Sequence, residues 1–355
     1  MAIVSNPYRA GAAPFDIGVE VPFPSTDAGA ALALLSLCPA HGETPLQSAG
    51  ALARDCGVAE VHIKDECGRM GLGSFKALGA AYVIASEADK ARKGNNWSNA
   101  LADRAFVTAS AGNHGMSVAA GARIFGARAV IYLAETVPES FAKRLRGKGA
   151  EVRREGAEYE ASMAAAARAA ESEGLTLLSD SSWPGYFDLP HRLMEGYLAM
   201  ADEISRQMAE APTHVFLQAG VGGLAGAVAA HVRKVWGDEP VITVVEPEAA
   251  PALLVSIEAG RFAAAHGPVS NMGRLDCKEA SLIALKGLAR DADFFVTVSD
   301  EAALAATNRL VGEGIATTPS GAAGVAALLD PAIRQAVGAG AEARVLTIVS
   351  EGSDG

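Results

Sequence analysis

Short apolar runs rich in Val, Ile and Phe alternate with helix-length amphipathic stretches from Val58 onward, and this alternation constrains the fold more than any other feature of the chain. Residues 59–64 alternate apolar and polar side chains as a half-buried strand does. The following stretch, LGSFKALGAAYVIASEADKA, reads as a helix with one apolar face. Strand patterns at 106–109, 129–133, 151–153, 175–178, 214–218, 241–246, 294–300 and 343–350 then interleave with helical patterns at 116–125, 139–147, 158–173, 189–208, 224–235, 301–313 and 321–329. Strands separated by helices predict mainly parallel sheets covered on both faces. The number of units exceeds one sheet of common size, so two doubly wound α/β domains with a cleft between them are expected. Only 6% of the residues are aromatic, and Ala, Gly, Val and Leu supply the apolar mass, which suits helices packed closely on parallel strands. The expected division is an N-terminal arm at 1–45 with a short helix near 28–37, a larger domain from 46–90 and 190–355, and a smaller one at 91–189.

A net charge of −11 argues against nucleic acid as a partner, because affinity for a polyanion comes mainly from Lys and Arg on phosphates. Cys38, Cys56, Cys67 and Cys277 are scattered without a C-x-x-C pair and read as reduced thiols rather than a zinc site. The seven histidines lack H-x-x-x-H spacing, so no metal is expected. The first residues lack the basic head and apolar core of a signal peptide, and every long apolar stretch is interrupted before it could span a bilayer. A cytoplasmic protein without a membrane partner is the expectation.

Five short motifs carry the chemistry. Lys76 lies in GSFKALGA, among small and apolar neighbours. A lysine just inside a helix is ordinarily a solvated charge, but burial disfavours the ammonium and leaves an amine able to attack a carbonyl. The string TASAGNHG, residues 108–115, joins a strand to a helix, where backbone amides and the helix start favour an anion such as a substrate carboxylate. QAGVGGLAG, residues 218–226, sits at a second such junction and suits a phosphate. It also admits a dinucleotide reading, because Gly220, Gly222 and Ala225 fit G-x-G-x-x-A and Glu246 closes the next strand. Ser320 in PSGA and Ser350 in VSEG each place a hydroxyl at the edge of a βα element, where a serine alone is most often a turn or cap residue.

Together, SFKALGAAY, TASAGNHG, QAGVGGLAG, VVEPE and TPSGAAG resemble the fold-type II pyridoxal-phosphate (PLP) enzymes, over roughly 44–352. The stretch SSWPGY after Asp180, with LP at 189–190 and MEGY at 194–197, is similar to the diaminopropionate ammonia-lyases in particular. The resemblance implies a tryptophan synthase β-like fold with the cofactor in the cleft, and a homodimer. It implies that Lys76 forms the Schiff base and removes the α-proton. Asn113 would bond the cofactor's phenolic oxygen, and Gly220, Val221, Gly222, Gly223 and Leu224 its phosphate. Ser350, or else Ser320, would face the pyridine nitrogen. Ser110, Ala111 and His114 would line the carboxylate site, and Asp180 would lie near the distal amine of the substrate. The lyases usually carry Asp where this chain has Ala111, so the loop resembles that of threonine and serine dehydratases. The implied reaction is α,β-elimination from a small amino acid such as 2,3-diaminopropionate, giving a 2-oxo acid and ammonia, with little use of the D-isomer. Serine, threonine or 3-hydroxyaspartate dehydration, β-replacement, an NAD-dependent oxidoreductase and a non-catalytic amino-acid sensor are the alternatives.

Overall fold

Val61, Ile63, Val215, Phe216, Val345 and Leu346 are inaccessible or nearly so because their strands lie mid-sheet with helices on both faces. The computed structural model describes residues 1–353. Strand β3 (Glu60–Asp65) runs parallel to β11 (Arg344–Val349), with Glu60 opposite Arg344 and Asp65 opposite Val349. Strands β8 (His214–Gln218), β9 (Val241–Pro247) and β10 (Phe294–Val298) continue the parallel ladder. Both edges are antiparallel, with β1 (Ile3–Ser5) on β10 and β2 (Leu46–Ser48) on β3. The resulting seven-stranded order is β1-β10-β9-β8-β11-β3-β2. A second, four-stranded sheet is wholly parallel, ordered β6-β5-β4-β7, from β4 (Ala105–Ala109), β5 (Arg128–Leu133), β6 (Glu151–Arg154) and β7 (Thr176–Leu177).

Helices α1 (Gly29–Leu35), α2 (Gly50–Cys56) and α3 (Lys76–Ala91) precede the smaller sheet in the chain. Helices α4 (Asn113–Ile124), α5 (Glu139–Gly147) and α6 (Tyr159–Glu173) connect its strands. Then follow α7 (Asp188–Gln207), α8 (Gly223–Trp236), α9 (Ala252–Ala259), α10 (Leu282–Asp291), α11 (Asp300–Val311), α12 (Pro319–Leu329) and α13 (Pro331–Val337). One crossing decides where Lys76 can stand. A Cβ at Gly79 would lie 2.8 Å from the Leu193 carbonyl, and one at Gly196 would lie 2.7 Å from the Leu78 carbonyl. Only glycine lets α3 and α7 approach this closely, and the approach sets Tyr197 beside the start of α3.

The structure corrects several expectations. The first residues carry a strand that the sequence reading lacked: β1 completes the larger sheet, and the Asn6 amide donates to the Ala289 and Ala292 carbonyls at 2.9 and 2.6 Å. Helix α4 begins three residues before the expected Met116. Gly112 is extended there, and Ser110 Oγ accepts the amides of Gly112 and Gly115. Asn113 and His114 therefore belong to its first turn. Strand β3 keeps the expected alternation from Glu60 to Ile63, but Lys64 breaks it: it is fully buried, its Nζ donating to the Thr44 carbonyl at 2.7 Å, Glu203 Oε2 at 2.8 Å and Gln207 Oε1 at 2.9 Å. Strand β2 and helices α2, α9, α10 and α13 had no counterpart in the sequence reading.

Candidate active site

In both sheets the carboxyl ends of the parallel strands share one edge, where ligands of open α/β sheets bind. The helix starts and strand ends of interest collect there. Gly73 adopts φ +78° ahead of α3, and its carbonyl accepts the Gly352 amide at 3.0 Å. The Phe75 amide donates to the Ser350 carbonyl at 3.2 Å. The start of α3 is thus tied to the end of β11, which brings Lys76 and Ser350 together.

Lys76 Nζ donates to Asp180 Oδ2 at 2.5 Å, reaching the segment that follows β7. The ammonium also stands 5.3 Å from the Phe75 ring centroid and 5.9 Å from that of Tyr197. Burial alone would depress Lys76, as its small apolar sequence neighbours suggested, but the Asp180 charge outweighs it and holds the ammonium above its ordinary value. Burial likewise opposes the charge on Asp180, and the Lys76 ammonium foremost overrides it, holding the carboxyl below its ordinary range. The expectation of a depressed lysine is therefore corrected: the pair is charged.

His114 is buried, with Nε2 on the Leu178 carbonyl at 2.8 Å. A carbonyl can only accept, so Nε2 carries the hydrogen and Nδ1 has a lone pair; Nδ1 finds no hydrogen-bond partner among the described residues. Ser110 is committed to the two amides at the start of α4, and Ala111 is exposed beside it. Ser320 Oγ accepts the Arg274 amide at 3.1 Å, and Ser350 is buried at the end of β11.

The connection from β8 to α8 forms a cradle. Gly222 has φ +95°, and a Cβ on Gly220 would lie 3.0 Å from the Arg274 carbonyl oxygen. The turn is therefore closed to larger residues, and the first amides of α8 have no acceptor within the helix. Such an N-terminus holds a phosphate.

A family model described as "Pyridoxal-phosphate dependent enzyme" matches residues 37–351. The chain belongs to this family. It is 34% identical over 289 residues to a diaminopropionate ammonia-lyase of Salmonella typhimurium, covering 76% of this chain and 72% of that protein. It is 29% identical over 300 residues to a human L-serine dehydratase/L-threonine deaminase, covering 84% and 85%. The solved structure of the Escherichia coli diaminopropionate ammonia-lyase in complex with D-serine superposes with a TM-score of 0.86 at 28% identity, covering 99% of this chain and 94% of that one.

The residues present fit the family's cofactor. An amine reaches the cleft at Lys76, a glycine turn opens a helix start at 220–224, and the buried Tyr197 ring stands beside both, its centroid 5.9 Å from the Lys76 ammonium and its edge 3.5 Å from where a Cβ at Gly223 would lie. The dinucleotide reading fails on Glu246. Its carboxyl is fully buried and accepts the Leu253 and Leu254 amides at 2.7 and 2.8 Å, capping α9, so it has no face left for a ribose. No helix is long and apolar enough to cross a membrane, and no group of three or more His, Cys, Asp and Glu could hold a metal, among the described residues.

Four residues near the site had no role in the sequence reading. Burial and then Asp180 push the Cys277 thiol up to about 12. Tyr159, exposed along one side, has a phenol raised by the surrounding protein and then by Asp180 and Cys277. Arg274 pairs with Glu351 at 3.3 Å. Glu351 was quoted only as the neighbour of Ser350. Arg274 and Glu351 are 77 residues apart in the chain, a pairing that local patterns do not reveal.

Proposed function

We propose that this chain is a PLP-dependent ammonia-lyase that performs α,β-elimination on 2,3-diaminopropionate or a close analogue, giving a 2-oxo acid and ammonia. One observation carries the reading: a partly buried carboxylate, Asp180, stands 2.5 Å from Nζ of Lys76 and has that ammonium as its partner. Lys76, Asn113, the amides of Gly220, Val221, Gly222, Gly223 and Leu224, and Ser350 with Ser320 as the other candidate, would hold the cofactor. Bound PLP supplies an aldehyde that takes up an amine and a ring that spreads the charge left when the α-proton departs.

While Lys76 is a free ammonium, Asp180 balances its charge. Once the lysine nitrogen is neutral, Asp180 needs another cation, and the β-ammonium of a diamino acid supplies one. Neutral Nζ takes the α-proton. Ammonia then leaves with its three hydrogens and the electrons of the C–N bond, so no further acid is required. The enamine left behind hydrolyses to pyruvate and a second ammonia. A β-hydroxyl brings Asp180 no charge and needs a proton on leaving. Ser110, Ala111 and His114 would line the site of the α-carboxylate, and Ala111 has no proton to exchange, so little use of the D-isomer is expected.

Incubating purified protein and PLP with L- and D-diaminopropionate, L-serine and L-threonine, and following 2-oxo acid release, tests the reading. L-Diaminopropionate should be the best substrate. A preference for L-serine would replace the lyase by a hydroxyamino-acid dehydratase, the reading that the Ala111 loop supports. A homodimer in the cytoplasm belongs to the same reading, and light scattering on the eluting protein tests the dimer.

A further inference from the structure

The carboxylate of Glu351 is 3% exposed as a residue and sits where three parts of the chain meet. It lies one residue beyond Ser350, on the stretch that pairs with Ser74 at the start of α3. Its Oε2 accepts from Asn113 Nδ2 in the first turn of α4. Its Oε1 accepts from Thr318 Oγ1 at the start of α12 and stands 3.3 Å from Arg274 Nε, on the irregular segment between α9 and α10. Its backbone carbonyl takes the Thr317 hydroxyl at 2.5 Å. Asn113 follows the smaller sheet, whereas Thr318 and Glu351 follow the larger one.

An ionised carboxylate only accepts hydrogen bonds, and an amide side chain offers hydrogens from one end only. Glu351 therefore decides which way the Asn113 amide faces. With Nδ2 on Glu351, the second N–H of the same nitrogen remains to donate into the cleft. With the amide reversed, Oδ1 would meet a carboxylate, two acceptors with no hydrogen between them.

We propose that Glu351 is a positioning residue that sets the Asn113 amide toward the cofactor and, through Thr318 and Arg274, latches the start of α4 to the larger sheet. The inference rests on the proposed PLP chemistry and adds to it a residue that acts only through Asn113.

The test is a double-mutant cycle on PLP affinity, measured by fluorescence titration of the cofactor-free full-length protein. Glu351→Gln should weaken PLP binding about tenfold in the native background, the size of one lost charge-assisted hydrogen bond. In an Asn113→Ala background the same substitution should cost less than about twofold, because the group it orients is gone. The pH midpoint of the bound cofactor's absorbance should also move in Glu351→Gln and stay put in the Asn113→Ala background. Equal losses of affinity in both backgrounds would make Glu351 a plain structural residue and overturn the proposal, as would unchanged affinity in Glu351→Gln. Should Glu351→Gln fail to fold, Asn113→Asp asks the same question by opposing two carboxylates. It should weaken PLP binding more than Asn113→Ala does, and parity between those two variants overturns the proposal. A native chain that takes up no PLP would instead sink the function reading itself, so the two failures are distinguishable.

Discussion

Two of the lysines paired with carboxylates, Lys64 and Lys76, sit in opposite kinds of site. Lys64 is fully buried and gives its three hydrogens to three acceptors, Glu203, Gln207 and the Thr44 carbonyl. Arg69, also fully buried, completes the group by bonding Glu203 at 2.6 and 2.8 Å and Glu66 at 2.7 Å. Lys76 has one carboxylate partner, Asp180, and keeps 19% of its side chain exposed to the cleft. The direction of the shifts does not separate a structural lysine from the proposed reactive one. Burial depresses Lys64 despite Glu203, whereas Asp180 raises Lys76 despite burial. What separates the two is saturation. A lysine with every hydrogen committed cannot change partner, and one held by a single neighbour at a cleft can.

The largest expected effect falls on the cleft lysine. Lys76→Ala should lower turnover by about a thousandfold or more while leaving the fold intact, since Asp180 keeps access to solvent. Borohydride treatment followed by peptide mass analysis should fix the cofactor on Lys76 in the native chain and on no peptide of the variant. Next comes the structural group. Glu203→Ala leaves Lys64 and Arg69 as buried cations without their shared acceptor, and should cost about 3–5 kcal/mol of stability, measured by urea unfolding. The comparison breaks if Glu203→Ala changes kcat/KM of the folded enzyme as strongly as Lys76→Ala does. Asp180→Asn should be milder, lowering kcat/KM for diaminopropionate about 10- to 100-fold and that for serine less, because only the diamino substrate brings a charge for Asp180 to hold. Equal losses on both substrates would remove Asp180 from the recognition of the distal amine.

What was legible in the sequence was local. The strand patterns and the glycines at 73, 112, 220 and 222 placed the turns, because a turn's chemistry lies within a few residues of it. What was not legible was pairing at distance. Lys64 sits in an alternating run and looked solvent-facing, yet its partner Glu203 lies 139 residues on. Lys76 has apolar neighbours in sequence, so burial seemed to rule its charge, and Asp180, 104 residues away, reverses that. Asn113 was singled out and Glu351 was not, although they touch across 238 residues. The alternation that placed β3 correctly also misread Lys64, because a parallel strand in mid-sheet is covered on both faces and a polar residue there must find its partners inside.

The smallest effect is one that both regions should share. Each lysine group has a histidine beside it with Nδ1 buried and without a partner among the described residues, His41 near Arg69 and His114 near Lys76. Burial first, and then the neighbouring cation in the case of His41, holds its imidazole below the ordinary 6.5. Burial also holds His114 below 6.5, with Asp180 opposing and Lys76 assisting. A folded-state value below the unfolded one means that the unfolded chain binds more protons as pH falls past 6.5, so stability is complete above that pH and declines below it. The slope per histidine cannot exceed about 1.4 kcal/mol per pH unit, and His41, being more open to solvent, contributes less than His114. Urea midpoints measured from pH 7.5 down to 5.5 should therefore fall, and the decline should be shallower in His114→Asn than in His41→Asn. Were the two slopes to match the native one, the histidines would not be the groups that take up protons on unfolding. Activity separates the regions again: His114→Asn should alter the pH profile of kcat/KM through Asp180, and His41→Asn should leave it unchanged.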